Sequence, residues 1–257
     1  MCEIFGFSAD KEEYVNEDLK IFYSHSNMHP HGWGLAHISD GQLYIEKESI
    51  QASKSNYLKE RLAVPLVSNM VLAHIRYATI GNIDRNNCHP YTKRDNSSRR
   101  WTLIHNGTIF DYPLLNRYLK KQQGETDSER ILLYIVDEIN KKQRLLGREA
   151  DFKERFNILD ELVAKLSKGN KLNLIIYDGE YMYIHTNYKN SLYYLERENS
   201  ITVSTLPLTN DSWENVEFTT LTAIKDGRFV AQGTNHGNEY VDNEETLKHL
   251  YQIFSNL

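Results

Sequence analysis

The chain has little of what usually divides or anchors a protein. Only 5 prolines are scattered over 257 residues, with no repeat, no low-complexity stretch and no Pro/Gly/Ser-rich linker. The charge-rich segment 140–154 comes nearest to a linker, but amphipathic helical patterns flank it closely, so one continuous domain over residues 1–257 is expected. Two cysteines, Cys2 and Cys88, allow at most one bridge, which fits a reducing compartment, most simply the cytoplasm. Apolar runs such as Ile131 to Val136 fall far short of the roughly 18 residues that cross a membrane, so no membrane association is expected. A basic segment followed by an apolar one is missing at the N-terminus, where Asp10, Glu12 and Glu13 come early, so no secretory signal is read. Cations are not in excess: 30 Lys and Arg against 35 Asp and Glu give −5, which argues against a nucleic-acid partner. Metal-site spacing is also missing. His25, His29, His31, His74, His89 and His105 form no structural-zinc pattern, and there is no His-Glu-x-x-His. Gly32-Trp33-Gly34 stands outside any phosphate-loop context, and no metal site is expected.

What is present is an ordinary globular composition, 40% hydrophobic and 25% charged, with 17 tyrosines that suit strand faces. A chain of this size should bury roughly 70–75% of its unfolded surface. Strand-like runs begin at the second residue, Cys2 to Ser8. Asp40-Gly41 lies between two such runs and signals a hairpin. Met70 to Thr79 alternates, with Val71, Ala73, Ile75 and Tyr77 on one face and Leu72, His74, Arg76 and Ala78 on the other. A helix is predicted after Asp111, with Pro113 in its first turn, a stripe of Leu114, Leu115, Tyr118 and Leu119, and Gly124 as its end. Thr126-Asp127-Ser128-Glu129 has the form of a capping box before a second helix. Phe152, Phe156, Leu159, Leu162, Val163 and Leu166 mark a third. Strands return at 172–177, 181–185, 192–195, 201–205, 218–224 and 228–231, with turns at Asp178-Gly179 and Asp226-Gly227, and Leu247, Leu250, Tyr251 and Phe254 suggest a closing helix. Strands, then helices, then strands fit an α+β arrangement of two antiparallel sheets packed together with helices outside.

Four places could carry chemistry, and each has a plain structural alternative. Removal of Met1 would give Cys2 a thiol and a free α-amine on adjacent carbons, a nucleophile with its own base; otherwise Cys2 is a small residue at a strand start. The α-amine has a reference pKa of about 7.7–8.0. Arg76, on a half-buried strand face, is either in an ion pair or is a fork for a substrate carboxylate. Asn106-Gly107 is either a type I′ turn or a pair of donors, side-chain amide and backbone N–H, for an oxyanion. Asp127 either complements a helix N-terminus or receives a substrate ammonium group.

Taken in order, Met1-Cys2, Gly32-Trp33-Gly34, Ala73-His74-Ile75-Arg76-Tyr77-Ala78-Thr79, His89-Pro90, His105-Asn106-Gly107 and Thr126-Asp127-Ser128-Glu129 resemble the class II glutamine amidotransferases. Val203 to Leu208 with Trp213 resembles the second half of the stand-alone, YafJ-like branch, so the resemblance spans nearly the whole chain. It implies a four-layer αββα sandwich of the N-terminal-nucleophile hydrolase type. It also implies Cys2 as nucleophile, its α-amine as base, Asn106 and Gly107 as oxyanion hole, Arg76 for the substrate α-carboxylate and Asp127 for its α-amine. Thr79 and His89 would be neighbours on the carboxylate side. The implied substrate is glutamine or a γ-glutamyl amide or peptide, and no metal or organic cofactor is implied. The implied alternatives are a glutaminase subunit that passes ammonia to a partner synthase chain, and a silent glutamine-binding protein. Where the branch usually reads Pro-Asp-Gly-Trp-Gly, this chain has Pro30-His31-Gly32-Trp33-Gly34.

Overall fold

Apolar side chains segregate into three separate layers, and three layers of core require four layers of secondary structure. The structure, a computed structural model, describes residues 2–243. The first sheet has seven antiparallel strands in the order β11-β9-β10-β1-β4-β2-β3. These are β1 (Glu3–Tyr14), β2 (Trp33–Ser39), β3 (Gln42–Glu48), β4 (Val67–Ile75), β9 (Tyr193–Glu196), β10 (Ser200–Ser204) and β11 (Glu214–Asn215). The second has six, β13-β12-β8-β7-β6-β5, from β5 (Tyr91–Arg94), β6 (Arg100–Thr108), β7 (Lys171–Tyr177), β8 (Met182–His185), β12 (Thr222–Lys225) and β13 (Arg228–Gln232).

The period-2 pattern decides which layer each residue joins. Phe5, Phe7, Val71, Ala73 and Ile75 pack outward against helices α1 (Asn16–Ser24) and α2 (Asn56–Ala63). Ile4, Leu72, Ile104, Ile175 and Ile184 meet between the sheets. Leu103, Leu172, Leu174 and Ile176 face α3 (Asp127–Leu146) and α4 (Phe152–Ser167) on the far side. The result is the αββα sandwich. The alternation read for 70–79 holds as far as Ile75, where β4 ends: Val71, Ala73 and Ile75 lie in the outer layer and Leu72 in the inner one.

Several local expectations are corrected. Asn106-Gly107 is no turn: both residues lie inside β6, opposite Asn173 and Leu172 of β7. The helix expected after Asp111 is only a 3-10 stretch, Pro113–Tyr118, preceded by Tyr112 rather than capped by Asp111. Leu115 and Tyr118 are buried while Leu114 and Leu119 are exposed, so the apolar stripe is half as wide as a helix needs. The capping box at 126–129 is half made. Thr126 accepts from the Glu129 N–H, but the Glu129 carboxylate turns to the N–H groups of Gln123 and Gly124. A complete box starts α4, between Asp151 and Glu154. Helices α1 and α2 were not expected from the pattern. The segment 218–224 contributes a strand only from Thr222, and the closing helix at 247–254 lies outside the described residues. The Asp40-Gly41 and Asp226-Gly227 hairpins are present, with positive φ at all four residues. Cys2 and Cys88 are both free.

One glycine sets how closely the layers approach. A Cβ on Gly34 of β2 would lie 1.8 Å from the His89 carbonyl oxygen, so the segment before β5 rests directly on the strand backbone. Gly34→Ala should therefore destabilise the fold by on the order of 3 kcal/mol. Gly41→Ala meets open space and only pays for its positive φ, about 1 kcal/mol. Urea unfolding of the two variants measures the difference.

Candidate active site

Strand order brings the chemistry-bearing residues to one end of the inter-sheet layer. Strand β1 lies between β10 and β4 in the first sheet, and both β1 and β4 pack across against β6 of the second. The alternation that points Ile4 and Leu72 between the sheets carries on to Cys2 just before β1, to His74 on β4 and to Arg76 one residue beyond its end. Ile104 faces the same layer from β6, and two residues on so does Asn106.

The Cys2 thiol sits in a backbone notch. It donates to the Tyr77 carbonyl and accepts from the Tyr77 N–H, both at 3.4 Å. Burial raises its pKa. The Tyr77 hydrogen bond and the positive charge of Arg76 work against this, and the negative charge of Asp127 adds to it. Arg76 and Asp127 therefore act on this thiol from opposite signs of charge.

Arg76 is buried and makes no ion pair with any described carboxylate; its guanidinium donates instead to three backbone carbonyls, Ile80 (2.9 Å), Gly81 (3.0 Å) and Asn82 (3.0 Å). That loop is itself clasped. The Glu125 carboxylate accepts from the Asn82 N–H, and the Asn87 amide donates to the Asn82 carbonyl and to Glu125. These hydrogen bonds hold the Glu125 carboxyl below the usual range. Asn82, Asn87 and Glu125 escaped the sequence reading. The cluster of three asparagines in Asn82 to Asn87 is the only signal they carry there.

Asp127 opens α3 and is buried. One oxygen accepts from the Ile109 N–H and the other from the Ser128 N–H, both at 2.8 Å. The helix-start role is thus real. The Ser128 hydroxyl also meets His105 Nδ1 at 3.0 Å, which ties β6 to the same helix turn. Asn106 is buried, and its Oδ1 has no hydrogen-bond partner. A Cβ on Gly107 would lie 2.1 Å from the Lys171 carbonyl oxygen, so only glycine lets β6 and β7 approach there.

Thr79 is half-buried in the loop after β4, two residues beyond Tyr77. His89 is buried, close enough to Arg76 for the guanidinium charge to help lower its pKa after burial and the neighbouring cations. It packs at 4.1 Å on the His74 ring and at 4.8 Å on Tyr91, and neither of its ring nitrogens has a partner. His31, at the position where the resembling branch has aspartate, accepts the Ala78 N–H on Nδ1 at 2.9 Å and packs on the Tyr77 ring. It thereby steadies the residues next to the thiol. Burial and then Arg76 lower its pKa, which keeps it the neutral acceptor this bond requires. Among the described residues, no group of three or more His, Cys, Asp or Glu could hold a metal ion, and no helix is long and apolar enough to cross a membrane.

Comparison with known proteins agrees with this arrangement. Residues 1–200 match the family model for class-II glutamine amidotransferases, and the chain belongs to that family. It is 28% identical to "Uncharacterized protein MJ1515" of Methanocaldococcus jannaschii over 90% of this chain and 71% of that one. It is also 28% identical to "Putative glutamine amidotransferase YafJ" of Escherichia coli K12, over 80% of each. The glutamine–fructose-6-phosphate aminotransferase of Clostridium acetobutylicum matches at 28% over 65% of this chain but only 25% of its own length. Among solved structures, the "predicted glutamine amidotransferase" of Pseudomonas aeruginosa PA01 superposes with a TM-score of 0.62 at 19% identity, covering 90% of this chain and all of that one. This shows the shared fold.

Histidines buried in the neutral state make a pH prediction. Burial lowers the pKa of His74, His89, His105 and His185, the last to about 3. The unfolded chain takes up protons below about pH 6.5 while the folded chain does not, so stability is complete above that value and falls as pH drops through it. Between about pH 7.5 and about pH 5.5 the loss should approach about 1 kcal/mol for each such histidine. Urea midpoints across this range measure it; a flat profile would contradict the neutral burial.

Proposed function

We propose that the chain hydrolyses the side-chain amide of glutamine or of a γ-glutamyl compound. The observation that carries this reading is a buried guanidinium, Arg76, and a buried carboxylate, Asp127, near the Cys2 thiol of a chain in the class-II glutamine amidotransferase family. An amino-acid substrate presents an α-carboxylate and an α-ammonium group, and Arg76 and Asp127 are the complementary pair. Arg76 is now held by neutral carbonyls, so its charge is left for an anion to neutralise.

In this mechanism Cys2 Sγ attacks the amide carbon, and its proton passes to the α-amine that Met1 removal would expose. The oxyanion of the tetrahedral intermediate is received by the Asn106 amide and the Gly107 N–H. A half-turn of the Asn106 amide, whose Oδ1 is unpaired, presents its N–H₂ to that charge. The amine leaves with the proton, a γ-glutamyl thioester forms, and water releases glutamate and regenerates the thiol. The aminotransferase relative, in which the matched region is a quarter of the length, supports a second reading: a glutaminase that gives ammonia to a partner synthase chain. In the first reading glutamate release proceeds without a partner; in the second it rises sharply when the partner is present.

Cys2→Ala should abolish glutamate release and leave the melting temperature within a few degrees, whereas Cys88→Ala should change turnover little. Asn106→Ala should lower kcat by about 10²–10³ with the fold intact. Arg76→Lys should impair substrates with a free α-carboxylate far more than their esters, since lysine keeps the charge and loses the fork. Equal loss on both would make Arg76 purely structural. Glutamate assays and melting curves on the same samples decide each point.

A further inference from the structure

Beside the segment 85–93 lies a cleft of about 350 Å³. Its walls come from β3, β5, the segment 85–90, residues 121–123 and the first turns of α3. Four cations line it: Lys47, Arg85, Lys93 and Lys121. The one acid on the wall, Glu129, has its two oxygens occupied by the N–H groups of Gln123 and Gly124. This concentration of positive charge stands out on a chain whose net charge is −5.

Lys47 forms the floor. It is half-buried, with its ammonium group 5.2 Å from the Tyr91 ring centroid, and it donates to the carbonyls of Cys88 (2.7 Å) and Pro90 (3.3 Å). Both acceptors are neutral, and an ammonium group has a third proton to give. Burial, with Arg85 adding to it, lowers the Lys47 pKa, and the negative charge of Glu129 works against this. Arg85 is placed by its Nε bond to the Lys47 carbonyl, which leaves the rest of its guanidinium free to form a fork. Lys93 and Lys121 are exposed on the rim.

We propose that this cleft binds a small phosphate-bearing anion, with Lys47 beneath it and Arg85, Lys93 and Lys121 around it. Four cations about one compact space match a group carrying two or more negative charges better than a single carboxylate. The two carbonyls that Lys47 holds bracket His89, whose ring packs on His74 of β4. An anion on Lys47 therefore bears on the wall of the inter-sheet site.

Calorimetry with inorganic pyrophosphate, inorganic phosphate and citrate tests the site at low salt, and hydrogen exchange with pyrophosphate present locates it. Pyrophosphate should bind more tightly than phosphate or citrate, weaken as salt is raised, and slow amide exchange across residues 85–93. The Lys93→Glu/Lys121→Glu variant should lose at least about tenfold in affinity. A Lys141→Glu/Lys165→Glu control, at exposed positions on α3 and α4, should not. Four results would each overturn the proposal: no pyrophosphate binding, equal binding by the rim variant, equal or tighter binding of citrate, or protection confined to another part of the chain.

Discussion

A buried guanidinium must be met by acceptors, and Arg76 is met by the carbonyls of the chain that immediately follows it. Much of the site depends on that arrangement. To offer three carbonyls at once, residues 80–82 must fold back sharply, and Asn87 and Glu125 pin them in that shape. Arg76 and Tyr77 follow directly on the end of β4, and the Tyr77 backbone brackets the Cys2 sulfur. The positive field reaches the neighbouring imidazoles as well: after burial, it is one of the causes that keep His31, His74 and His89 neutral. A carboxylate partner in the resting chain would have cancelled this field. Neutral carbonyls leave it in place.

The two-sheet architecture supplies the rest by close approach. Gly34 lets the 88–91 segment lie on β2, and Gly107 lets β6 and β7 come together beside Asn106. At both points the limit is backbone against a missing side chain, where a neighbour cannot swing away. The same segment then faces two ways, with His89 toward the inter-sheet layer and the Cys88 and Pro90 carbonyls toward Lys47. Chemistry on one side and charge on the other share a single stretch of backbone.

The sequence made the layer assignment legible because period-2 alternation is a local property, and β4 and the hairpins at Asp40-Gly41 and Asp226-Gly227 follow it. Asn106-Gly107 misled at the level of the dipeptide: local turn preference was overridden by pairing with β7, a contact some 65 residues away in the chain. The 3-10 stretch at 113–118 fell short for a related reason, since tertiary packing buries only two of its four apolar side chains. Cys2, Arg76, Asn106 and Asp127 stood out because thiol, guanidinium, amide and carboxylate are the functional groups that amide cleavage uses. Asn82, Asn87, Glu125 and Lys47 did not, because their parts consist of bonds to backbone carbonyls and N–H groups that no side-chain pattern records. His89 enters by resemblance alone, and its ring packs on that of His74.

The central claim is that the Cys2 sulfur is the reacting atom and that Arg76 and Asp127 deliver an amino-acid substrate to it. A chloroketone analogue of glutamine, with its electrophilic carbon where the side-chain amide carbon would be, tests all three together. Peptide mapping should place the adduct on Cys2 alone, in molecules whose mass lacks Met1, with labelling slowed by free glutamine and strongly reduced in Arg76→Lys. An adduct on Cys88, or labelling of Cys2 indifferent both to glutamine and to Arg76→Lys, would contradict the account.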